Sequence, residues 1–163
     1  MNYFSSDFKL GILGGGQLGK MLLFDTRKFD IQTYVLDPSD EAPCKIACDQ
    51  FFKGDLMDFE AVYNFGKKVD VLTFEIELVN LDALVKLEDE GLKVYPSPKT
   101  LKLIQNKGIQ KDFYTQHTIP TANYKRFDNL KSLIVDILDS KTKLPFVWKC
   151  TEFGYDGNGV KVI

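Results

Sequence analysis

Short apolar runs alternate with amphipathic stretches over roughly the first hundred residues. Five of these runs, bounded by glycine, proline or aspartate, predict strands: FKLGILG, IQTYVLD, QFFKGD, VDVLTFE and LKVYPSP. Between them QLGKMLLFDTRKF, MDFEAVYNFGKK and LDALVKLEDEG predict helices. In the first helix the apolar residues Leu18, Met21 and Leu22 recur at helical spacing. Strands that alternate with helices of about 10–13 residues predict an α/β fold, a doubly wound parallel sheet with helices on both faces.

The pattern changes after Pro98. KTLKLIQNKGIQKDFYTQHTIPT predicts a polar, lysine-bearing helix broken near Gly108, and ANYKRF then predicts a strand. A helix in NLKSLIVDILDS and a closing hairpin follow, in an order closer to α+β than to a parallel sheet. We therefore predict two domains, residues 1–103 and 104–163.

Composition narrows the range of partners and compartments. The formal net charge of −2 gives no general attraction to nucleic acid or to acidic membranes. No apolar run approaches the ~20 residues of a membrane span, and the first residues lack the layout of a signal peptide, so we expect a cytosolic protein. Cys44, Cys48 and Cys150 form an odd set without zinc-ligand spacing, which predicts free thiols. His117 has no acid or nucleophile pattern near it and is expected at a helix end or on the surface.

A glycine loop, Gly14–Gly19 with the sequence GGGQLG, follows the first predicted strand and opens the first predicted helix. Its spacing fits G-x-G-x-x-G, and Asp37 closes the second strand, as in NAD(P)-binding sheets where the acid takes a ribose hydroxyl. The same loop is typical of sites for other phosphorylated or anionic ligands, and it also permits a tight turn. Because Pro38 follows Asp37 directly, the acid can serve the turn itself. All three interpretations remain open on this pattern.

Two carboxylates, Glu75 and Glu77, follow the fourth predicted strand. Residues two apart in an extended chain face the same way, so both would lie at the edge of the sheet where ligands bind. They could accept hydrogen bonds from ribose hydroxyls or an amine, or act as a general base. Alternatively, one of them caps the helix that starts near Asn80. Glu75 is favoured for a functional role because its neighbours are apolar.

The chain ends in KCTEFGYDGNGVKVI, which predicts a strand, a glycine-rich loop and a returning strand. Lys149 lies in an apolar strand, and burial of an unpaired lysine is costly, so we expect it to face an anion. The loop that follows can close its backbone N–H groups over phosphates, although a plain hairpin turn explains the same residues. It is not a Walker A loop, because the motif and the following helix are missing.

Seven motifs, in order from about Lys9 to Ile163, resemble the ATP-grasp enzymes of purine biosynthesis, and among them the N5-carboxyaminoimidazole ribonucleotide synthetase family. They are ILGGGQLGKM, VLDPSDEAP, GD, TFEIELVN, VYPSPKTLKLIQNK, QK followed by IPT, and KCTEFGYDGNGVKVI. The resemblance implies a ligase that uses ATP and Mg²⁺ to activate bicarbonate as carboxyphosphate. The exocyclic amine of 5-aminoimidazole ribonucleotide then takes the carboxyl group. It further implies a Rossmann-like pre-ATP-grasp domain followed by the small lobe of an incomplete ATP-grasp domain.

The resemblance also assigns roles to residues of this chain. The ribonucleotide would be bound by Gly16, Gln17, Leu18, Glu75 and Glu77. ATP would be bound by Lys107, Lys149 and the terminal loop, which comprises Gly154, Tyr155, Asp156, Gly157, Asn158, Gly159 and Val160. Within that loop Tyr155 and Asp156 would lie near the substrate and are the catalytic candidates.

This chain departs from the family pattern in two respects. The loop of the family usually reads RGGYDGKG, whereas EFGYDGNG stands here, so Glu152, Phe153 and Asn158 replace two cations and a glycine. Each missing charge-assisted contact could weaken phosphate binding by about 1.5–3 kcal/mol. After Lys149 the only acids are Glu152 and Asp156, so we expect the Mg²⁺ ligands in a C-terminal part outside this sequence. The expectation is an N-terminal portion of a longer, homodimeric enzyme that is inactive alone.

Three alternatives stand beside this interpretation. The related formate-dependent glycinamide ribonucleotide transformylases carry a turn like GSGELG, with glutamate where this chain has Gln17. A Rossmann module that binds NAD(P) would explain the glycine loop but leaves the terminal loop unexplained. The third alternative is a module that only binds another molecule.

Overall fold

A computed structural model of the chain describes Tyr3, residues 5–152, Gly154 and residues 158–163. Within it the chain forms two compact units, Met1–Lys102 and Leu103–Ile163.

The first unit is built on a parallel sheet of five strands among the described residues. The strands are β1 Lys9–Leu13, β2 Gln32–Asp37, β3 Gln50–Lys53, β4 Val71–Phe74 and β5 Lys93–Val94. Their spatial order is β3-β2-β1-β4-β5, and each neighbouring pair runs parallel. The first strand of the chain therefore lies in the centre, where Leu10 is paired with Thr33 on one side and Val71 on the other. All five strands fall within the apolar runs that predicted them.

Helices follow β1, β3, β4 and β5, as predicted. They are α1 Gln17–Thr26, α2 Phe59–Gly66, α3 Leu81–Asp89 and α4 Pro98–Gln105. Side chains before the first turn fix two of the starts. The Asp58 carboxylate accepts a hydrogen bond from the Ala61 N–H at 2.6 Å. The side-chain Oδ1 of Asn80 accepts one from the Ala83 N–H at 2.9 Å.

Apolar clusters cover both faces of the sheet. Adjacent β1 residues point in opposite directions, so Leu13 belongs to one buried cluster and Ile12 to the other. The larger cluster joins Leu13 to apolar residues of α2 and α3, and the smaller joins Ile12 to Leu23 of α1. Helices on both faces of a parallel sheet confirm the predicted α/β fold class.

The apolar residues that mark α1 in the sequence do not all face the core. Leu18 and Met21 are exposed, and the residues of α1 that are buried are Gly19, Leu23 and Thr26. The reason is close packing at Gly19, where a Cβ atom would lie 2.9 Å from the Gly14 carbonyl oxygen. The helix approaches the sheet on its smallest residue and on Leu23, whereas Leu18 and Met21 point away from it.

The second unit contains α5 Lys107–Gln116, α6 Leu130–Leu138 and an antiparallel pair, β6 Val147–Lys149 and β7 Val160–Val162. The predicted long helix is broken at Asn106, close to the expected place, because Asn106 caps α5. The predicted strand ANYKRF is wrong. Residues 122–126 lie exposed, and none of the residues 122–127 pairs with a strand among the described residues, while the side chains of Tyr124 and Arg126 both bind Asp112.

The cysteines and the single histidine lie as the sequence predicts. Cys44, Cys48 and Cys150 are free thiols, and His117 lies at the end of α5, exposed, as predicted. In the part of the chain that is described, no helix is both long enough and apolar enough to span a membrane.

Candidate functional site

The glycine loop begins with a turn that only glycine adopts without strain. Gly14 follows β1 with φ of +96°, and its N–H donates to the Leu36 carbonyl of β2 at 2.9 Å. A Cβ atom on Gly14 would lie 2.7 Å from Cγ of Glu75, just beyond the end of β4. The loop therefore lies against the carboxyl ends of three strands, β1, β2 and β4.

Asp37, the last residue of β2, binds this loop with one oxygen and its own turn with the other. Its Oδ2 accepts a hydrogen bond from the Gly15 N–H at 2.7 Å, and its Oδ1 accepts one from the Ser39 N–H at 2.8 Å. These bonds confirm the alternative in which Asp37 serves the turn. Both oxygens of Asp37 therefore already accept a hydrogen bond from the backbone.

Glu75 supplies negative charge at the start of α1. Its Oε1 accepts a hydrogen bond from the N–H of Gly16, the N-cap residue of α1, at 3.0 Å. The helix has no side-chain cap of its own and no acid in its first turn, so a carboxylate from another strand interacts with its dipole. Oε2 of Glu75 receives no hydrogen bond from the described residues. One oxygen is thus fixed by the loop and the other is left for a ligand.

Neither glutamate caps α3, because Asn80 performs that task. Glu77 is half-buried in the segment between β4 and α3, and its backbone carbonyl accepts from Val79 N–H at 3.1 Å. The alternative of a helix cap is therefore wrong for Glu75 and for Glu77. The role of Glu77 in binding remains a prediction.

Cys44 packs against the glycine loop. Its N–H donates to the Gly15 carbonyl at 3.0 Å, and its thiol lies beside Gly16 and Gly19. Burial raises the pKa of the Cys44 thiol to about 11, and the negative charges of Glu75 and Asp37 add to the effect. The thiol is therefore a neutral packing group at neutral pH. The sequence had no signal for this contact.

The N–H groups of Gly14, Gly15 and Gly16 are all engaged within the protein. A phosphate at a G-x-G-x-x-G loop is held by such groups, so this loop offers no free N–H donor at its first three positions. The dinucleotide interpretation loses its main physical support. Gln17 and Leu18, the first residues of α1, are exposed at this edge, and their role in ligand binding remains a prediction.

Two of the predicted ATP residues lie on adjoining elements of the second unit. Lys149 is the last residue of β6 and Lys107 the first of α5. The Lys107 N–H donates to the Thr151 carbonyl, two residues past Lys149, at 2.7 Å. The premise that Lys149 is buried is wrong, because every residue of β6 and β7 is exposed in this two-stranded sheet. Its side chain can reach a ligand from solvent instead.

The structure describes only part of the terminal loop. Cys150 N–H donates to the Gly159 carbonyl at 2.8 Å, and Gly159 has φ of +69°, so the base of the loop closes as a hairpin. Gly154 lies close to the carbonyl of Asn158, and Val160 begins β7. The remaining predicted residues of the loop, Tyr155, Asp156 and Gly157, lie outside the described residues, as does Phe153.

A family model, described as the ribonucleotide synthetase preATP-grasp domain, matches residues 8–105. The chain belongs to this family. The matched residues of the preATP-grasp family member include the whole parallel sheet and the glycine loop with Asp37 and Glu75. The family predicted from the motifs is confirmed.

Relatives of this preATP-grasp chain extend the match into its second unit. A phosphoribosylaminoimidazole carboxylase from Ogataea methanolica is 36% identical over 94% of this chain and 29% of its own length. An N5-carboxyaminoimidazole ribonucleotide synthase from Staphylococcus epidermidis is 31% identical over 92% of this chain and 39% of its own. The chain thus spans about a third of the length of the curated relatives that it matches.

Several solved relatives have a bound nucleotide, and one of them has the ribonucleotide bound as well. The crystal structure of N5-carboxyaminoimidazole synthase from Aspergillus clavatus, in complex with ADP and 5-aminoimidazole ribonucleotide, superposes with a TM-score of 0.81. It is 34% identical, and the match covers 94% of this chain and 40% of that one.

Proposed function

We propose that this chain is part of a ligase that carboxylates 5-aminoimidazole ribonucleotide at the expense of ATP. The observation that carries the proposal is the order of the two sites along one chain. A preATP-grasp sheet with a half-engaged Glu75 comes first, and a unit with Lys107 and Lys149 on adjoining elements follows. The Aspergillus clavatus relative, which is similar over both units, is described with ADP and this ribonucleotide bound.

In the proposed reaction a bicarbonate oxygen attacks the γ-phosphorus of ATP, and ADP leaves. The carboxyphosphate that forms is attacked at its carboxyl carbon by the exocyclic amine of the ribonucleotide. Phosphate leaves, the amine loses its proton, and the N5-carboxylated ribonucleotide is the product. The chain contributes binding and orientation, which alone convert a bimolecular step into a far faster one.

On the ribonucleotide side, Gly16, Gln17 and Leu18 form the loop edge, and Glu75 presents its unengaged oxygen to a ribose hydroxyl or to the amine. Glu77 follows on the same segment. Because Asp37 and Glu75 surround the loop with negative charge, the loop suits the neutral part of the ribonucleotide better than its phosphate.

On the nucleotide side, Lys107 and Lys149 would meet phosphate oxygens, and residues 154–160 would cover them. Mg²⁺ enters this proposal only with ATP. Among the described residues no three His, Cys, Asp or Glu side chains come together as a metal site, so no step is derived through the ion. A cytosolic homodimer remains the predicted state, although one relative, from Vigna aconitifolia, is named as chloroplastic.

The test is ADP release by the longest polypeptide that the reading frame encodes, with ATP, Mg²⁺ and bicarbonate, with and without 5-aminoimidazole ribonucleotide. We expect turnover that requires the ribonucleotide and falls at least about tenfold in Lys149→Ala, since a charge-assisted phosphate contact contributes about 1.5–3 kcal/mol. The 163-residue chain is assayed beside it and is expected to be inactive.

Lys161→Ala is the matched control. Lys161 is an exposed lysine in the same two-stranded sheet, but it is paired with Trp148, whereas Lys149 is paired with Val160. Directly paired residues share a face, so Lys161 lies on the other face and should not affect turnover. Turnover with glycinamide ribonucleotide and formate instead would indicate the transformylase. NAD(H) binding without any ADP release would refute the proposal.

A further inference from the structure

The start of α5 is tied to the segment after β6 by two hydrogen bonds. Nδ2 of Asn106 donates to Oε1 of Glu152 at 2.8 Å, and the Lys107 N–H donates to the Thr151 carbonyl at 2.7 Å. The first of these bonds is called here the Asn106–Glu152 clasp. It joins residues that are far apart in the sequence, one directly before Lys107 and the other three residues past Lys149.

Asn106 uses both ends of its amide. While Nδ2 binds Glu152, its Oδ1 accepts a hydrogen bond from the Ile109 N–H at 2.9 Å and so caps α5. A cap alone does not need the glutamate. Asn129 caps α6 in the same way, through the Ser132 N–H at 2.9 Å, and its Nδ2 donates to no described residue. The clasp is therefore an addition to capping.

The clasp also places a carboxylate at the positive end of the α5 dipole. Behind it, Cys150 N–H donates to the Gly159 carbonyl, so residues 150–152 are bonded to α5 on one side and to the end of the terminal loop on the other. Lys149 immediately precedes this segment and Lys107 immediately follows Asn106. Residues 150–152 thus connect the strand that carries Lys149 to the start of the helix that carries Lys107.

We propose that Glu152 is a positioning residue for the nucleotide. Through Asn106 it holds the first turn of α5 against the end of β6, so that Lys107 and Lys149 address the same nucleotide. This inference rests on the proposed function. A site whose two lysines are held before binding loses less conformational freedom when the phosphates arrive, and this favours affinity rather than the chemical step.

The experiment measures ADP binding by calorimetry, and KM for ATP and kcat, with the longest polypeptide that the reading frame encodes. Glu152→Ala removes the acceptor. Asn106→Asp keeps the cap oxygen but replaces the donor with a second carboxylate facing Glu152. Both should weaken ADP binding and raise KM for ATP about threefold to tenfold, with kcat within about twofold, which is the range of one ordinary solvent-accessible hydrogen bond.

Two further variants separate positioning from general stability. Glu152→Gln retains an oxygen that can accept from Nδ2 and should bind ADP within about twofold of the wild type. Asn129→Asp makes the same change at a cap without a clasp and should leave KM for ATP unchanged. A structural role alone would change the melting temperature without separating KM from kcat.

If the wild type binds ADP and both Glu152→Ala and Asn106→Asp bind it equally well, the positioning role of the clasp is refuted and the proposed function is unaffected. The clasp would also be overturned if Glu152→Gln were as weak as Glu152→Ala, or if Asn129→Asp raised KM equally. A wild type that neither binds ADP nor turns over ATP would overturn the proposed function and, with it, the role of Glu152.

Discussion

Asp37→Ala should destabilise the fold because it frees two backbone N–H groups at once. The carboxylate binds the N–H of Gly15 at 2.7 Å and that of Ser39 at 2.8 Å. A hydrogen bond to a charged group contributes about 1.5–3 kcal/mol when it is shielded and nearer 0.5–1 kcal/mol when water can replace it. Gly15 is buried and Ser39 is exposed, so the sum is about 2–4 kcal/mol of unfolding free energy.

Urea unfolding followed by far-UV circular dichroism measures this loss, and amide hydrogen exchange at Gly15 reports it locally. Asp37→Asn should lose about half as much, because one amide oxygen can serve only one of the two N–H groups well. Asp55→Ala is the control. Asp55 is exposed, and among the described residues its side chain makes only the local bond to the Met57 N–H at 2.8 Å, so its removal should cost less than about 1 kcal/mol. Equal losses in Asp37→Ala and Asp55→Ala would show that the bond to the glycine loop contributes nothing.

Three further outcomes are expected. Thiol labelling at pH 8, mapped by mass spectrometry, should leave Cys44 unmodified until the chain unfolds, because burial raises its pKa to about 11; labelling of the native chain at Cys44 would contradict this. The Lys125 ammonium lowers the pKa of Asp136 in the folded chain. The charge of Asp136 therefore stabilises the fold above the unfolded pKa of about 4, and this stabilisation is lost as the pH falls from there through the folded pKa. Asp136→Asn should make the melting temperature less sensitive to acid below about pH 4. Gly66→Ala should lower the unfolding free energy by about 1–3 kcal/mol, although alanine has the better helix propensity, because the new Cβ would lie 2.3 Å from Cδ1 of the buried Leu87. An unchanged urea midpoint would show that Leu87 moves aside freely.

The sheet could be predicted from sequence because its signals are local. Each strand is a short apolar run, and residues such as Ile12 and Leu13 face opposite sides of a sheet covered on both faces, so uninterrupted apolar runs are required. The position of the glycine loop and of Glu75 followed from the same rule, since both come at strand ends. The fold and the edge that carries the site were therefore accessible.

What could not be predicted depends on contacts between distant residues. The face on which α1 packs is decided at Gly19 by its distance to Gly14, and the helical spacing of Leu18 and Met21 does not reveal it. ANYKRF has strand-like residues but finds no partner strand among the described residues. Lys149 was expected to be buried because its neighbours are apolar, yet a sheet of two strands leaves both faces open.

The engagement of Asp37 and Glu75 illustrates the same limit at the site. Their positions indicated carboxylates at a ligand edge, and only the fold shows that three of their four oxygens already accept hydrogen bonds from backbone N–H groups of the loop and the following turn. Pro38 after Asp37 was the one sequence signal that pointed this way.

The central place of β1 has a consequence for how the sheet assembles in time. β1 is made first, and its partner β2 follows soon after, but its other partner, β4, comes much later in the chain. The pairing of Leu10 with Val71 therefore closes the longest loop within the sheet, and such distant pairings slow folding. Until β4 arrives, one edge of β1 and the apolar side chains beside it stay open to other chains. Refolding yield should therefore fall with protein concentration, and the vulnerable interval ends when β4 docks.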